Sequence, residues 1–402
     1  MSTIIAAVEF ETARILAEIG GLFFALGIVT RIAMRFRVAA SPIFLLVGLL
    51  IGNGGVADLD FSQPFIGVAA EVGAVLLLFF LGLEFSARTI VREAKMHSRT
   101  ALVDIVLNGA PGALIAWMLG WGPVVALAMA GVTYVSSSGI ATQVAREMGW
   151  KKRPEWKSLV AILVLEDLVM APYLPIVTAL AGATSLFWGV TGVGIGLSVV
   201  TVLLIVGARG IKPFAKLLKA DSSASLLLTA FGLALLAGGV SAMLDFSSAV
   251  AAFLVGLLIT GDVAETIRKR MAPLRDVFAA GFFVFFGLQT DPADVLPALP
   301  VALLLVFVTW ITKVVTVYYA LRQTDSDIAN RRMCALRGGS VLSARGEFSV
   351  AIGALVVSLG IGPDGWQGLV ATYVIVSALF GPFVARFFDR VEPAPDFNNP
   401  IY

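Results

Sequence analysis

Two adjacent carboxylates, Glu166 and Asp167, stand in the middle of the apolar run LVLEDLVMAP (163–172). Ionisable side chains so deep in an apolar span cost about 2.5 kcal/mol or more each, so they face the interior of a helix bundle and mark a route for ions or protons. Helical neighbours point about 100° apart. One of the pair can therefore line a cavity while the other takes a partner from an adjoining helix. Lys313, near the middle of the run TWITKVVTV, can be that partner, and its pairing with Glu166 or Asp167 makes a proton switch; the alternative is a lysine that snorkels to the interface.

Two further segments carry groups that suit ion handling. Thr133 to Gly139 offers the hydroxyls of Ser136, Ser137 and Ser138 beside a glycine, and a span unwound there frees carbonyls for a cation. Ser340 to Ser349 reads SVLSARGEFS and holds Arg345 and Glu347. If both spans break and cross, their half-helix ends bring opposed dipoles together, and Arg345 or Glu347 can neutralise them. The plainer readings are small-residue packing for the serines and a buried structural pair for Arg345 with Glu347. Pro172 and Pro175 are expected to bend or open the helix that carries the carboxylates. Glu84 and Asp104 fall near span ends and read as interfacial, while Glu71 fits either an interface or a pathway.

The elements that must position these groups are membrane spans. Of the 402 residues, 58% are apolar and only 14% charged, with a mean hydropathy of +0.93. A water-soluble chain of this size carries about a quarter charged residues. Apolar runs of about 20 residues predict an all-α polytopic protein with spans near 12–30, 40–52, 64–85, 100–119, 122–144, 158–180, 186–206, 224–243, 246–260, 274–288, 298–320, 332–358 and 366–387. Of the 29 Lys and Arg residues, 25 fall in alternate connectors, while the intervening ones carry Asp58, Asp60, Asp245, Asp291, Asp294 and Asp364. The positive-inside rule then puts the N-terminus outside and the C-terminus in the cytoplasm. The basic connectors read as lipid headgroup contacts, without the aromatic interleaving of a nucleic-acid surface.

Several classes of chemistry drop out. One Cys and one His leave no disulfide framework, no cysteine zinc site and no histidine relay. No GxxxxGK[ST] loop is present, so nothing here hydrolyses ATP through a P-loop. No pairing of nucleophile with base suggests an enzyme, and no cofactor is expected.

The two halves of the chain also repeat. Leu46–Ile51 and Leu254–Ile259 both read LVGLLI, 208 residues apart, and FFLGL at Phe79–Leu83 matches VFFGL at Val284–Leu288 at an offset of 205. That offset spans seven helices, an odd number, so the copies enter the membrane from opposite sides. An inverted-topology repeat of this kind belongs to alternating-access transporters. Residues 1–180 form the first copy, 181–220 a linker helix, 221–390 the second copy and 391–402 a short tail.

Taken together, SSSGIATQ at Ser136, LVLEDLVMAP at Leu163, ARGEFSVAIG at Ala344 and, in support, FFLGLEF at Phe79 resemble the Kef-type monovalent cation:proton antiporters over essentially the whole chain. The resemblance implies a sodium/proton antiporter-like fold with crossed broken helices at the fifth and twelfth spans. It also implies a homodimer in a bacterial inner membrane. A static interface part covers about 1–99 and 221–296, and a mobile core about 100–180 and 297–390. By position, Asp167 is the essential aspartate shared by proton and cation, K⁺ by preference or Na⁺. Glu166 is the variable position before it, and Lys313 the basic residue facing the pair. A glutamate at that variable position leaves the charge stoichiometry open. Many relatives continue into a nucleotide-binding regulatory domain, whose place a separate cytoplasmic subunit would take here. A cation channel and a sodium-coupled organic-anion symporter of the same fold are the competing readings.

Overall fold

In a computed structural model the chain is entirely helical among the described residues, which are 2–36, 39–52, 63–84, 87–150, 153, 155–182, 223–243, 247–324 and 330–391 with isolated positions between 191 and 202. The helices are α1 (Ser2–Arg35), α2 (Ala40–Ile51), α3 (Gln63–Glu84), α4 (Ala87–Met118), α5 (Gly122–Tyr134), α6 (Ser138–Glu147), α7 (Trp156–Ala181), α8 (Ser223–Ala242), α9 (Ser248–Leu258), α10 (Asp262–Leu288), α11 (Pro292–Thr324), α12 (Arg331–Leu342), α13 (Glu347–Ser358) and α14 (Trp366–Val391). Each expected span coincides with a helix or a helix pair, except the seventh at 186–206, which lies largely outside the described residues, as does the tail. Eight stretches among the described residues are long and apolar enough to cross a bilayer, or nine if α12 and α13, bent by 40°, count as one. The apolar helices Ala40–Ile51, Ala70–Leu83 and Ser248–Leu258 are shorter.

Three physical features shape this bundle. First, lipid offers no hydrogen bonds, so each span satisfies its backbone internally and breaks only where protein groups take over. The breaks fall within the two serine-containing runs, between Tyr134 and Ser138 and between Leu342 and Glu347. Second, α7 runs unbroken through Pro172 and Pro175, which corrects the expectation that these prolines open it. Each proline removes one backbone donor, and in a tightly packed helix that loss does not end the helix.

Third, the repeat is visible in how helices touch. α2 crosses α10 where Gly48 meets Gly287, and α3 crosses α9 where Gly82 meets Gly256; a Cβ added at Gly48 or Gly82 would collide with backbone atoms. The offsets read from sequence pair Gly48 with Gly256 and Gly82 with Gly287. The contact Gly48–Gly287 is thus the repeat image of the contact Gly256–Gly82, as an inverted two-fold repeat requires. Around these crossings α3 packs on α9 and α10, α2 on α10, and α8 on α9. Elsewhere α4 packs on α5, α7 and α11, while α12 and α14 pack on α11 and on each other.

Candidate functional site

The two breaks meet. Ser137 donates its backbone N–H to the Ala344 carbonyl (2.8 Å), and the Ser136 hydroxyl reaches the Leu342 carbonyl at 2.6 Å. Tyr134 ends α5 and Leu342 ends α12, so two negative dipole ends converge here. Arg345 answers both. Its Nη1 donates to the carbonyls of Tyr134 and Leu342 and to the Ser136 hydroxyl, each at 3.3 Å, and its Nε donates to the Tyr373 hydroxyl at 3.0 Å. Cations at helix C-termini are favourable for this reason.

The opposite charge sits at the opposite ends. Glu347 opens α13, and its Oε2 accepts a hydrogen bond from Ser137, the residue that caps α6 (3.1 Å). One carboxylate thereby serves two helix N-termini. Arg345 and Glu347 do not pair with each other; each neutralises one polarity of the crossing.

Glu166 lies against the same junction. It is fully buried; its Oε2 accepts from the Ser136 N–H (2.6 Å) and its Oε1 from the Ser136 hydroxyl (2.9 Å). Lys313, also at zero exposure, places Nζ 2.5 Å from Glu166 Oε1. It is a buried ion-pair partner and not a snorkelling lysine. Asp167, one position on and turned to another face of α7, is 9% exposed.

Asp104 corrects the reading of an interfacial residue. It is 1% exposed, and its Oδ1 lies 2.7 Å from Lys313 Nζ, so the ammonium bridges two carboxylates instead of one. The Tyr134 carbonyl (3.3 Å) and the face of the Tyr134 ring (5.5 Å) complete its surroundings. Asn108, one turn beyond Asp104, donates to Asp104 Oδ1 (2.8 Å) and Thr316 (3.1 Å) and accepts from Thr312 (2.8 Å). Sequence reasoning missed this set because Asp104 lies only five residues from Arg99 and so resembled a span boundary. In fact α4 begins at Ala87 and carries Asp104 well inside. The available signal was an i, i+4 polar pair on an otherwise apolar helix, faced by Thr309, Thr312, Lys313 and Thr316 at helical spacing on α11.

The three serines separate by role. Ser136 and Ser137 spend their hydroxyls on the crossing, whereas the Ser138 hydroxyl makes no hydrogen bond among the described residues. Its carbonyl accepts from Thr142 at 2.8 Å. The Glu84 and His97 side chains lie outside the described residues.

Glu71 lines an open cavity of about 530 Å³ between α3, α9 and α10 on one side and α7 and α13 on the other. There its carboxylate accepts from the Ser248 hydroxyl. Leu174, on the cavity wall, lies seven residues beyond Asp167, two turns further along the same stripe of α7. Met170, 1% exposed, stands between them.

At the end of the bundle with basic connectors, three charged groups, Arg153, Glu155 and Arg337, are buried and a fourth, Asp389, is half-buried. Arg153 meets Asp389 at 2.5 Å and Glu155 at 3.8 Å, and Arg337 meets Glu155 at 2.8 Å. Trp150 also donates to Asp389 at 2.9 Å. Burial, followed by the repulsion of Arg337, lowers the pKa of Arg153, which Asp389 and Glu155 pull back up. This network joins the α6–α7 connector to α12 and α14.

The model of the sodium/hydrogen exchanger transmembrane family matches residues 21–388. The K(+)/H(+) antiporter subunit KhtU of Bacillus subtilis is 28% identical over 384 residues, covering 93% of both chains. The ammonium/H(+) antiporter subunit AmhT of Alkalihalophilus pseudofirmus is 29% identical over 388 residues, covering 92% of this chain and 91% of its own. The sodium proton antiporter MjNhaP1 of Methanocaldococcus jannaschii superposes with a TM-score of 0.67 over 94% of this chain and 98% of its own; at 18% identity this shows the shared fold.

Proposed function

The chain belongs to the sodium/hydrogen exchanger family, and from that premise we propose how this cation:proton antiporter works: a proton and a monovalent cation compete for Asp167. The observation that carries the reading is the division of labour within the dyad. Glu166 is sealed against Lys313 and Ser136, while Asp167, on another face of α7, keeps 9% exposure. The Ser138 hydroxyl and freed carbonyls of the break add oxygen ligands, and Glu166 joins them once Lys313 lets go of it. Arg345, Lys313 and Glu347 hold the charges and dipoles of the crossing in balance throughout.

Exchange follows from the cost of an empty site. A buried carboxylate without proton or cation is too expensive to carry across the membrane, by several kcal/mol per uncompensated ion, so only the occupied core moves. The moving part is about 100–180 and 297–390, sliding against a static part of about 1–99 and 221–296.

K⁺ is the favoured cation, with Na⁺ as the second, supported by the K⁺/H⁺ relative KhtU. KhtU and AmhT are both named as subunits, which supports a separate partner for this chain, a cytoplasmic nucleotide-binding protein, acting on a homodimer. The basic connectors support an N-terminus outside and a C-terminus in the cytoplasm, and the bacterial relatives support an inner membrane. The experiment is Asp167→Asn in everted membrane vesicles. Loss of K⁺-dependent and Na⁺-dependent dissipation of a pH gradient is expected; retained dissipation rejects the assignment.

A further inference from the structure

We infer that Asp104 is a positioning residue for cation binding: it keeps the Lys313 ammonium paired at the moment Lys313 releases Glu166. The inference rests on the dyad reading above and adds a third carboxylate to it.

The argument begins with how fully Glu166 is engaged. Its two oxygens accept the Ser136 N–H, the Ser136 hydroxyl and the Lys313 ammonium. It can turn toward a cation at Asp167 only after Lys313 moves off. At zero exposure the ammonium has no water to retreat to, and a buried charge stripped of its only counter-ion is strongly destabilising. The other neighbours cannot take over this role. The Tyr134 carbonyl and ring are neutral, and Arg345 carries the same sign.

Asp104 supplies the second counter-ion, already 2.7 Å away. It also has capacity to spare: Oδ1 is shared by Lys313 and Asn108, whereas Oδ2 is buried without a hydrogen-bond partner. Lys313 can therefore pivot about Asp104, exchanging contact with Glu166 for contact with Oδ2, and remain paired at both ends of the movement. Asn108, fixed by Thr312 and Thr316 on the lysine's own helix, holds the aspartate still during the pivot.

The test is a double-mutant cycle on the full chain in everted vesicles, with K⁺ and then Na⁺ as the added cation. Asp104→Asn is expected to raise the apparent KM by about tenfold while the maximal rate stays within about twofold, since Glu166 is then harder to free for the cation and binding is weakened in ground and transition state alike. Asp104→Glu should restore most of the affinity. In a Lys313→Gln background no ammonium needs a partner, and adding Asp104→Asn should leave KM unchanged. An unchanged KM in the single variant, or an equal rise in both backgrounds, overturns the inference, because the latter marks Asp104 as a packing residue alone. If Asp104→Asn does not accumulate in the membrane, the comparison of Lys313→Gln with the charge-neutral double variant decides, equal KM values being expected and a higher KM in the double variant overturning it. Retained exchange in Asp167→Asn would reject the dyad reading instead, so the two failures are distinguishable.

Discussion

Arg345 and Glu347, two positions apart, serve opposite electrical ends of one helix crossing. The guanidinium holds the carbonyls that close α5 and α12, and the carboxylate sits where α6 and α13 begin. Without them, two positive and two negative half-dipoles would face each other in a medium too poor to screen them.

Replacing the guanidinium should therefore damage the fold before it damages the chemistry. Arg345→Gln is expected to cost about 2–4 kcal/mol, as buried carbonyls lose a charged donor. Thermal melting of the detergent-solubilised protein measures this. A melting temperature within 1 °C of wild type, as an order of magnitude for no effect, would contradict the assignment.

The serines should split between stability and affinity. Ser137→Ala removes the cap of α6 and the donor to Glu347, so it should lower stability by about 1 kcal/mol. Ser138→Ala touches no hydrogen bond made by its hydroxyl and should leave melting unchanged while raising the KM for K⁺. Paired melting and transport measurements separate the two, and the reverse pattern counts against Ser138 as a ligand.

The buried cluster at the basic end makes a sharper stability test. Asp389→Ala leaves Arg153, 5% exposed, with Glu155 alone at 3.8 Å and should cost about 3 kcal/mol. Arg153→Met combined with Asp389→Leu removes both charges and should recover most of that loss. If the double variant melts no higher than the single one, the pair is not what binds the α6–α7 connector to α14.

Glycine crossings predict a positional contrast. Gly48→Leu and Gly256→Leu both push a side chain into backbone, while Gly20→Leu on α1 meets open space. The first two should each destabilise by about 1–3 kcal/mol or more, and the third should be silent. Because Gly48 and Gly256 are repeat images, their costs should be similar.

Most of the scaffold was legible because a charge or a break in an apolar run is loud. Glu166, Asp167, Lys313 and Arg345 announce themselves against lipid, and the serine and SARGEFS runs mark the two breaks. What stayed hidden depended on depth and on partners. Asp104 could not be told from a boundary residue without knowing where α4 begins. Arg153 counted toward orientation and Arg337 fell within a predicted span, yet each lies beside a carboxylate distant in sequence. The opening expected at Pro172 and Pro175 did not occur because local propensity yields to packing inside a bundle.

Backbone laid directly on backbone at the glycine crossings leaves no rotamers to rearrange, so those joints resist shear and lateral squeeze alike. The opposite seam, with a 530 Å³ hollow beside α7 and α13, has slack. A bilayer whose acyl chains grow longer or shorter will deform the slack seam first, and turnover, more than folding, will register the thickness of the membrane.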